Sequence, residues 1–169
     1  MFVAMGYHDL NAMRAEKCAE AKAKGYSLVS YVSARADTGP WAEIGENCLV
    51  LDSAGIQPGA RLGDNVWLWN NCLVGHHASV GSHCWLAAGT TIGGKAVIGE
   101  RCFFGLGATV GGDIRIGNQS IVGAGALVTK DAADGSVFVE RDTDLFRLDS
   151  RRFLSITRLA TLGSREGRA

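Results

Sequence analysis

Residues 44–80 read IGENCL VLDSAG IQPGAR LGDNVW LWNNCL VGHHAS V, and every block of six opens on a bulky apolar side chain. The series runs unbroken from Ile44 through Val50, Ile56, Leu62, Leu68, Val74, Val80, Leu86, Ile92, Ile98, Phe104, Val110, Ile116 and Val122 to Val128. Two residues before each stands a smaller one, such as Cys48, Ala54, Ala60, Cys72, Ala78, Cys84 or Cys102, and glycine very often follows the bulky residue. Fifteen hexads in one phase mean stacked structural repeats. Hexads of this kind build a triangular parallel β-helix with three short strands per coil. Residues 18 apart then lie directly over one another, and the fifteen hexads make about five coils.

The rest of the composition narrows the possibilities. Lys and Arg number 17, as do Asp and Glu, so the chain carries no electrostatic footprint for nucleic acid or an anionic membrane. No apolar run approaches the roughly 20 residues of a membrane span. The start, Met1-Phe2-Val3-Ala4-Met5-Gly6, lacks the basic opening and long apolar core of a signal peptide, which points to the cytoplasm. Four of the five cysteines (Cys48, Cys72, Cys84 and Cys102) take the small inward position of the hexad and read as reduced core filler.

Outside the repeats the reading changes. Within 1–35, Phe2–Gly6 reads as a buried strand. Asp9 or Asn11 is positioned to cap a helix running to about Lys24 and closed by Gly25, and Ser27–Val32 reads as a second strand. This is a βαβ piece, half of a nucleotide-binding sheet. The repeats occupy 36–131. In 132–169 a last strand is expected at Val137-Phe138-Val139 and a short helix near Asp149–Leu159, with Asp149 or Ser150 as its cap and a frayed end beyond it.

Stacking at 18 residues exposes relationships that the linear chain hides. The face holding Val50, Leu68, Leu86, Phe104 and Val122 turns Leu49, Trp67, Trp85, Phe103 and Ile121 outward, too apolar a stripe for water; self-association through it is expected. The face holding Ile44, Leu62, Val80, Ile98 and Ile116 shows Glu43, Arg61, Ser79, Val97 and Arg115 outward and is the solvent face. One corner column reads Pro58, His76, Gly94, Gly112, Lys130: a histidine, two coils of bare glycine, then a cation. Glycine lets a ligand approach the backbone closely, so this corner suits an extended thioester cofactor with anionic phosphates.

Of the four histidines, His76 and His77 sit together at that corner. A corner imidazole beside glycines suits a general base that takes a proton from an attacking amine or hydroxyl. A backbone N–H near Gly94 would supply the oxyanion donor. His8, in a loop after the first segment, is placed to touch a substrate, whereas His83 reads as structural. No nucleophile elbow or Ser/His/Asp set is present, and Cys72 points inward.

Several segments together resemble a known group. They are Val3-Ala4-Met5-Gly6, Lys24-Gly25-Tyr26 to Tyr31-Val32, Ile44-Gly45-Glu46-Asn47-Cys48, Arg61-Leu62-Gly63-Asp64-Asn65-Val66, Val74-Gly75-His76-His77, and Ile121 to Asp131. Residues 2–139 are similar to the sugar O/N-acyltransferases of the left-handed β-helix superfamily, the group of the sialic acid O-acetyltransferases and the bacillosamine and perosamine N-acetyltransferases. The resemblance implies an all-β fold, a left-handed parallel β-helix of about five coils preceded by the βαβ piece, although crossovers of parallel strands are usually right-handed.

It also implies a homotrimer, acetyl-CoA as co-substrate in the groove between adjacent prisms, and a sugar or nucleotide-sugar acceptor. His76 matches the group's histidine base. Its acidic neighbour, which orients the base, is replaced here by His77. Acyl-CoA contacts are expected from Gly94, Leu106, Gly112, Ala124 and Lys130, and acceptor contacts from His8, Trp69 and Asn70; no metal site is expected. The chain starts at what resembles the group's second strand, without its Gly-rich strand-turn-helix, and it lacks the Gly-Asn-Pro-Ala end after the prism. A non-catalytic scaffold, a shortened enzyme, or a carbonic-anhydrase-like zinc trimer are the alternative readings. The last needs three histidines brought together, whereas His77 and His83 fall on different corners.

Overall fold

A two-residue strand recurring every six residues cannot ladder with its neighbour in sequence; it ladders with the strand one coil away. The computed structural model, which describes residues 1–163, shows this throughout. The first face is a seven-stranded sheet from Tyr31–Val32 through Trp67–Leu68 and Trp85–Leu86 to Val137–Phe138. The second has six strands, from Asp37–Thr38 to Leu127–Val128, and the third has five, from Glu43–Ile44 to Arg115–Ile116. All pairings are parallel, and residues 18 apart face each other, as in Trp67↔Trp85↔Phe103. The solenoid thus extends to about six turns, because strands at both ends join the coils.

The bulky hexad positions fill the interior. Val50, Leu68, Leu86, Phe104 and Val122 are all wholly inaccessible to solvent, and each such side chain contributes roughly 1.5–3 kcal/mol of burial free energy. The small positions let the chain turn inward at each corner. The residue three after each bulky one from Ile44 to Val122 takes the left-handed conformation, as at Asn65 (φ 60°), His77 (φ 57°) and His83 (φ 65°). Asparagine and glycine tolerate that geometry, which explains Asn47, Asn65, Asn71, Gly89 and Gly107 at these points. All five cysteines are buried and free.

The outward aromatic stripe does not await another molecule. Helix α1 (Ala12–Ala23) and the segment before it cover it. Phe2 stacks on Trp67 with ring centroids 5.9 Å apart, and Tyr7 packs on Trp85 at 5.0 Å and on Phe103 at 4.8 Å. Trp67 and Trp85 are buried as a result. Self-association through this face, expected from its apolar outward residues, is therefore corrected: the chain's own N-terminal segment takes the place of a partner.

The central contact is Arg14. Its guanidinium lies 4.7 Å from the Trp67 ring and 5.5 Å from the Trp85 ring. It donates through Nε to Asn65 Oδ1 (2.9 Å) and through a terminal nitrogen to the carbonyls of Asn65 and Cys84. Burial lowers its pKa to about 10. At the helix end, Lys22 pairs with Glu46 at 2.6 Å and Asp64 at 3.3 Å, surface contacts worth little each.

The N-terminal segments differ in detail from the strands expected. Residues 2–6 form no ladder. Instead Val3 is held by one side chain, donating its N–H to Asn47 Oδ1 (2.7 Å) and accepting from Asn47 Nδ2 (3.1 Å). The expected strand over Ser27–Val32 contracts to Tyr31–Val32, which ladders onto Leu49–Val50 as part of the solenoid. Asn11 stands at the α1 N-cap but makes no capping bond; its Nδ2 reaches the Cys102 carbonyl at 3.4 Å. Gly25 closes the helix at φ 84°.

After Val128 the spacing shortens. Ala132 bridges Ile116, and Val137 pairs with Ile121, each sixteen residues back. Helix α2 spans Ser150–Gly163, and Asp149 caps it by accepting the Arg152 N–H at 2.9 Å. The frayed end expected beyond it reaches residues 164–169, outside those described. No helix among the described residues is long and apolar enough to cross a membrane.

Candidate active site at the glycine corner

The corner between the second and third faces is built from backbone. Gly59 N–H donates to the Pro40 carbonyl, His77 N–H to Pro58, Lys95 N–H to His76 and Asp113 N–H to Gly94, so each coil hangs on the one before it. The coils are too close for side chains at several points: a Cβ on Gly75 would stand 2.5 Å from Gly94 N, and one on Gly93 2.4 Å from Gly112 N.

Both imidazoles are exposed and lean in opposite directions along this rail. A Cβ on Gly94 would lie 2.5 Å from His76 Nε2, so that ring rests over bare glycine one coil on. A Cβ on Gly59 would lie 2.9 Å from His77 Cδ2, so the second ring rests over bare glycine one coil back. Between them, His76 Nδ1 and His77 Nδ1 are 3.3 Å apart. The His76 N–H donates to Gln57 Oε1 at 2.9 Å, a contact not foreseen from the sequence, where Gln57 stands one residue out of the column.

The corner amides show a further asymmetry. At this same place in their hexads the N–H groups of Glu46, Asp64, Glu100 and Asn118 donate to side chains of the next coil: Asp64, Ser82, Asn118 and Asp134. The N–H groups of Gly94 and Gly112 have no partner among the described residues, and the same holds for Asn70, Ser82, Ala88, Leu106 and Ala124 at that place in their hexads. The coil beyond Gly94 offers only Gly112 at this place, so no side chain there accepts from its N–H.

The other expected contacts spread over the prism. Gly94, Gly112 and Lys130 continue the His76 column along one edge of the second face, and Asn70, Leu106 and Ala124 follow its other edge. Leu106 is 62% exposed. Trp69 is half-buried and packs on Trp85 at 5.4 Å. His8 lies beside Tyr7 on the first face, away from His76. His83 belongs to the third corner, where its Nδ1 meets Asn65 Nδ2 at 2.9 Å. Burial pushes the Cys72 thiol up to about 11, which keeps it protonated at neutral pH.

The fold is a triangular parallel β-solenoid of about six turns preceded by a helix. The chain belongs to the GMPPB C-terminal domain family, whose model matches residues 44–140. Among solved structures it is similar to PerB from Caulobacter crescentus in complex with CoA and GDP-perosamine (32% identity, TM-score 0.77, covering 80% of this chain and 64% of that one). It is also similar to the acetyltransferase domain of PglB from Neisseria gonorrhoeae (28% identity, TM-score 0.74, 75% and 62% covered) and to that domain in complex with acetyl coenzyme A (28%, TM-score 0.54, 75% and 62%). The left-handed β-helix expected from the sequence is the fold shared with these neighbours. The chain spans less than two thirds of the length of each of them. No curated protein matched.

Proposed function

We propose that the chain is an acyl-CoA-dependent acyltransferase, using acetyl-CoA, that transfers the acyl group to an amino or hydroxyl group of a sugar or nucleotide-sugar. The observation that carries this is the His76 ring held over bare Gly94, with Nε2 turned to the glycine rail beside an unpaired backbone N–H. The complexes of the similar proteins with CoA and a nucleotide-sugar support the same reading.

In the mechanism, His76 donates its Nδ1–H to His77 Nδ1, which leaves the Nε2 lone pair free. Nε2 takes the proton of the acceptor amine or hydroxyl as that group attacks the thioester carbonyl. The Gly94 N–H receives the developing oxyanion. Collapse breaks the carbon–sulfur bond, and the departing thiolate takes the proton back from His76. The coenzyme lies along Gly94 and Gly112, whose missing side chains admit it, with its phosphates toward Lys130. Direct transfer uses aligned substrates and no covalent enzyme intermediate.

A homotrimer follows from the same reading. The coenzyme contacts divide between the His76 column and the edge holding Leu106 and Ala124, as a groove closed by a second copy requires. The test is acceptor-dependent release of CoA thiol from acetyl-CoA across a panel of amino-sugar nucleotides. His76→Ala should lose at least about a hundredfold in kcat while binding acetyl-CoA as before. Equal turnover by the variant would remove the assignment.

A further inference from the structure

Trp41 is out of place by every rule that shapes the rest of the solenoid. It is 83% exposed, whereas Trp67 and Trp85 are buried and Trp69 is half-buried. It holds the left-handed conformation at φ 58°, which a bulky side chain adopts at a cost and which equivalent corners give to Asn47, Asn65 and Asn71. Nothing in the packing of the core calls for an indole here.

Its position gives the reason. The Pro40 carbonyl accepts from Gly59, and Pro58 from His77, so Trp41 lies on the His77 rail two coils back. The position between them, Gly59, has no side chain, and the His77 ring rests over it. From His76 Nε2, seated against Gly94, to the Trp41 coil is three coils of about 4.8 Å, roughly 14 Å. The rail is thus divided: glycines and Lys130 on one side of the histidine pair, bare Gly59 and an exposed indole on the other.

We propose that Trp41 is the stacking platform for the nucleobase of a nucleotide-linked acceptor, an inference that rests on the acyltransferase reading of the His76 corner. A single pyranose ring is too short to meet both His76 and Trp41. A nucleoside diphosphate-sugar spans the distance, with the sugar at the histidine and the base on the indole. Base-on-aromatic stacking is tolerant of base identity, because every base offers a π-face.

The experiment titrates the protein with UDP, GDP and dTDP while following tryptophan emission, then repeats it with Trp41→Asn, which places at φ 58° a residue type suited to it. The wild type should show saturable quenching. The variant should bind the best nucleotide roughly ten- to a hundredfold more weakly, keep its acetyl-CoA affinity and hold or raise its thermal midpoint. In turnover the KM for the nucleotide-sugar should rise with that for acetyl-CoA unchanged. Equal nucleotide affinity in both proteins, no nucleotide binding by the wild type, or a change of oligomeric mass in the variant would each overturn the proposal. The last would make Trp41 a contact between copies. Loss of acetyl-CoA binding by the wild type would instead remove the underlying reading of the corner.

Discussion

His76 and His77 face each other through the same ring atom, Nδ1 to Nδ1 at 3.3 Å. A neutral imidazole has one donor and one acceptor nitrogen, so one of the pair must carry its proton on Nδ1 and the other on Nε2. With His76 the donor, its Nε2 is the free base. His77→Ala should then lower kcat about tenfold or more with little change in the KM for acetyl-CoA. His77→Glu, which supplies a carboxylate acceptor, should restore most of the rate. Steady-state kinetics on the two variants checks this, and indifference to both would show that His77 does not orient the base.

Gly94 tests the ring's seat without touching either histidine. Its Cβ would meet His76 Nε2 at 2.5 Å, the far end of a side chain free to rotate away. Gly94→Ala should therefore fold with an unchanged thermal midpoint and lose roughly a hundredfold in kcat through misplacement of the base. An active Gly94→Ala enzyme would mean that Nε2 does not work from this position.

Arg14 tests the cover over the first face. It is buried over the stacked Trp67 and Trp85 rings and forms no ion pair among the described residues. Arg14→Ala removes its bonds to Asn65 and Cys84 and opens a hollow against Trp67, and should cost about 2–4 kcal/mol in denaturant unfolding. Arg14→Met, which refills the space without a buried charge, should cost less. A red shift of tryptophan emission in the alanine variant would report Trp67 and Trp85 meeting water.

His83 sets a pH dependence. Burial lowers its pKa below the ordinary 6.5; the nearby Arg14 and Arg101 cations add to the lowering, and Glu100 and Asp64 oppose it. The folded state thus binds that proton less readily than the unfolded chain. The stability is fully present above pH 6.5 and is lost as pH falls through the lowered folded value. The thermal midpoint of the wild type should drop across that acidic range more steeply than that of His83→Asn, and identical profiles would contradict the shift.

Much of this was legible in the sequence because the period is rigid. Eighteen-residue stacking puts His76, Gly94, Gly112 and Lys130 in one column. The same rule misled at Trp67, Trp85 and Phe103, where an apolar stripe reads alike whether another molecule or the chain's own helix covers it. The deciding residue, Arg14, looks like solvent-facing charge in a helix rich in Ala, Glu and Lys; only its face, shared with the buried Cys18 and Ala21, marks it as inward. Ring directions at His76 and His77 were not legible, because they depend on rotamers set by the glycines one coil away rather than on the hexad pattern.

On this reading the glycine rail takes an acyl-CoA. Calorimetric titration of the full chain with acetyl-CoA tests it most directly. Binding should saturate in the micromolar range and weaken when Lys130 is replaced by Glu; no binding at millimolar acetyl-CoA would remove the coenzyme from the rail.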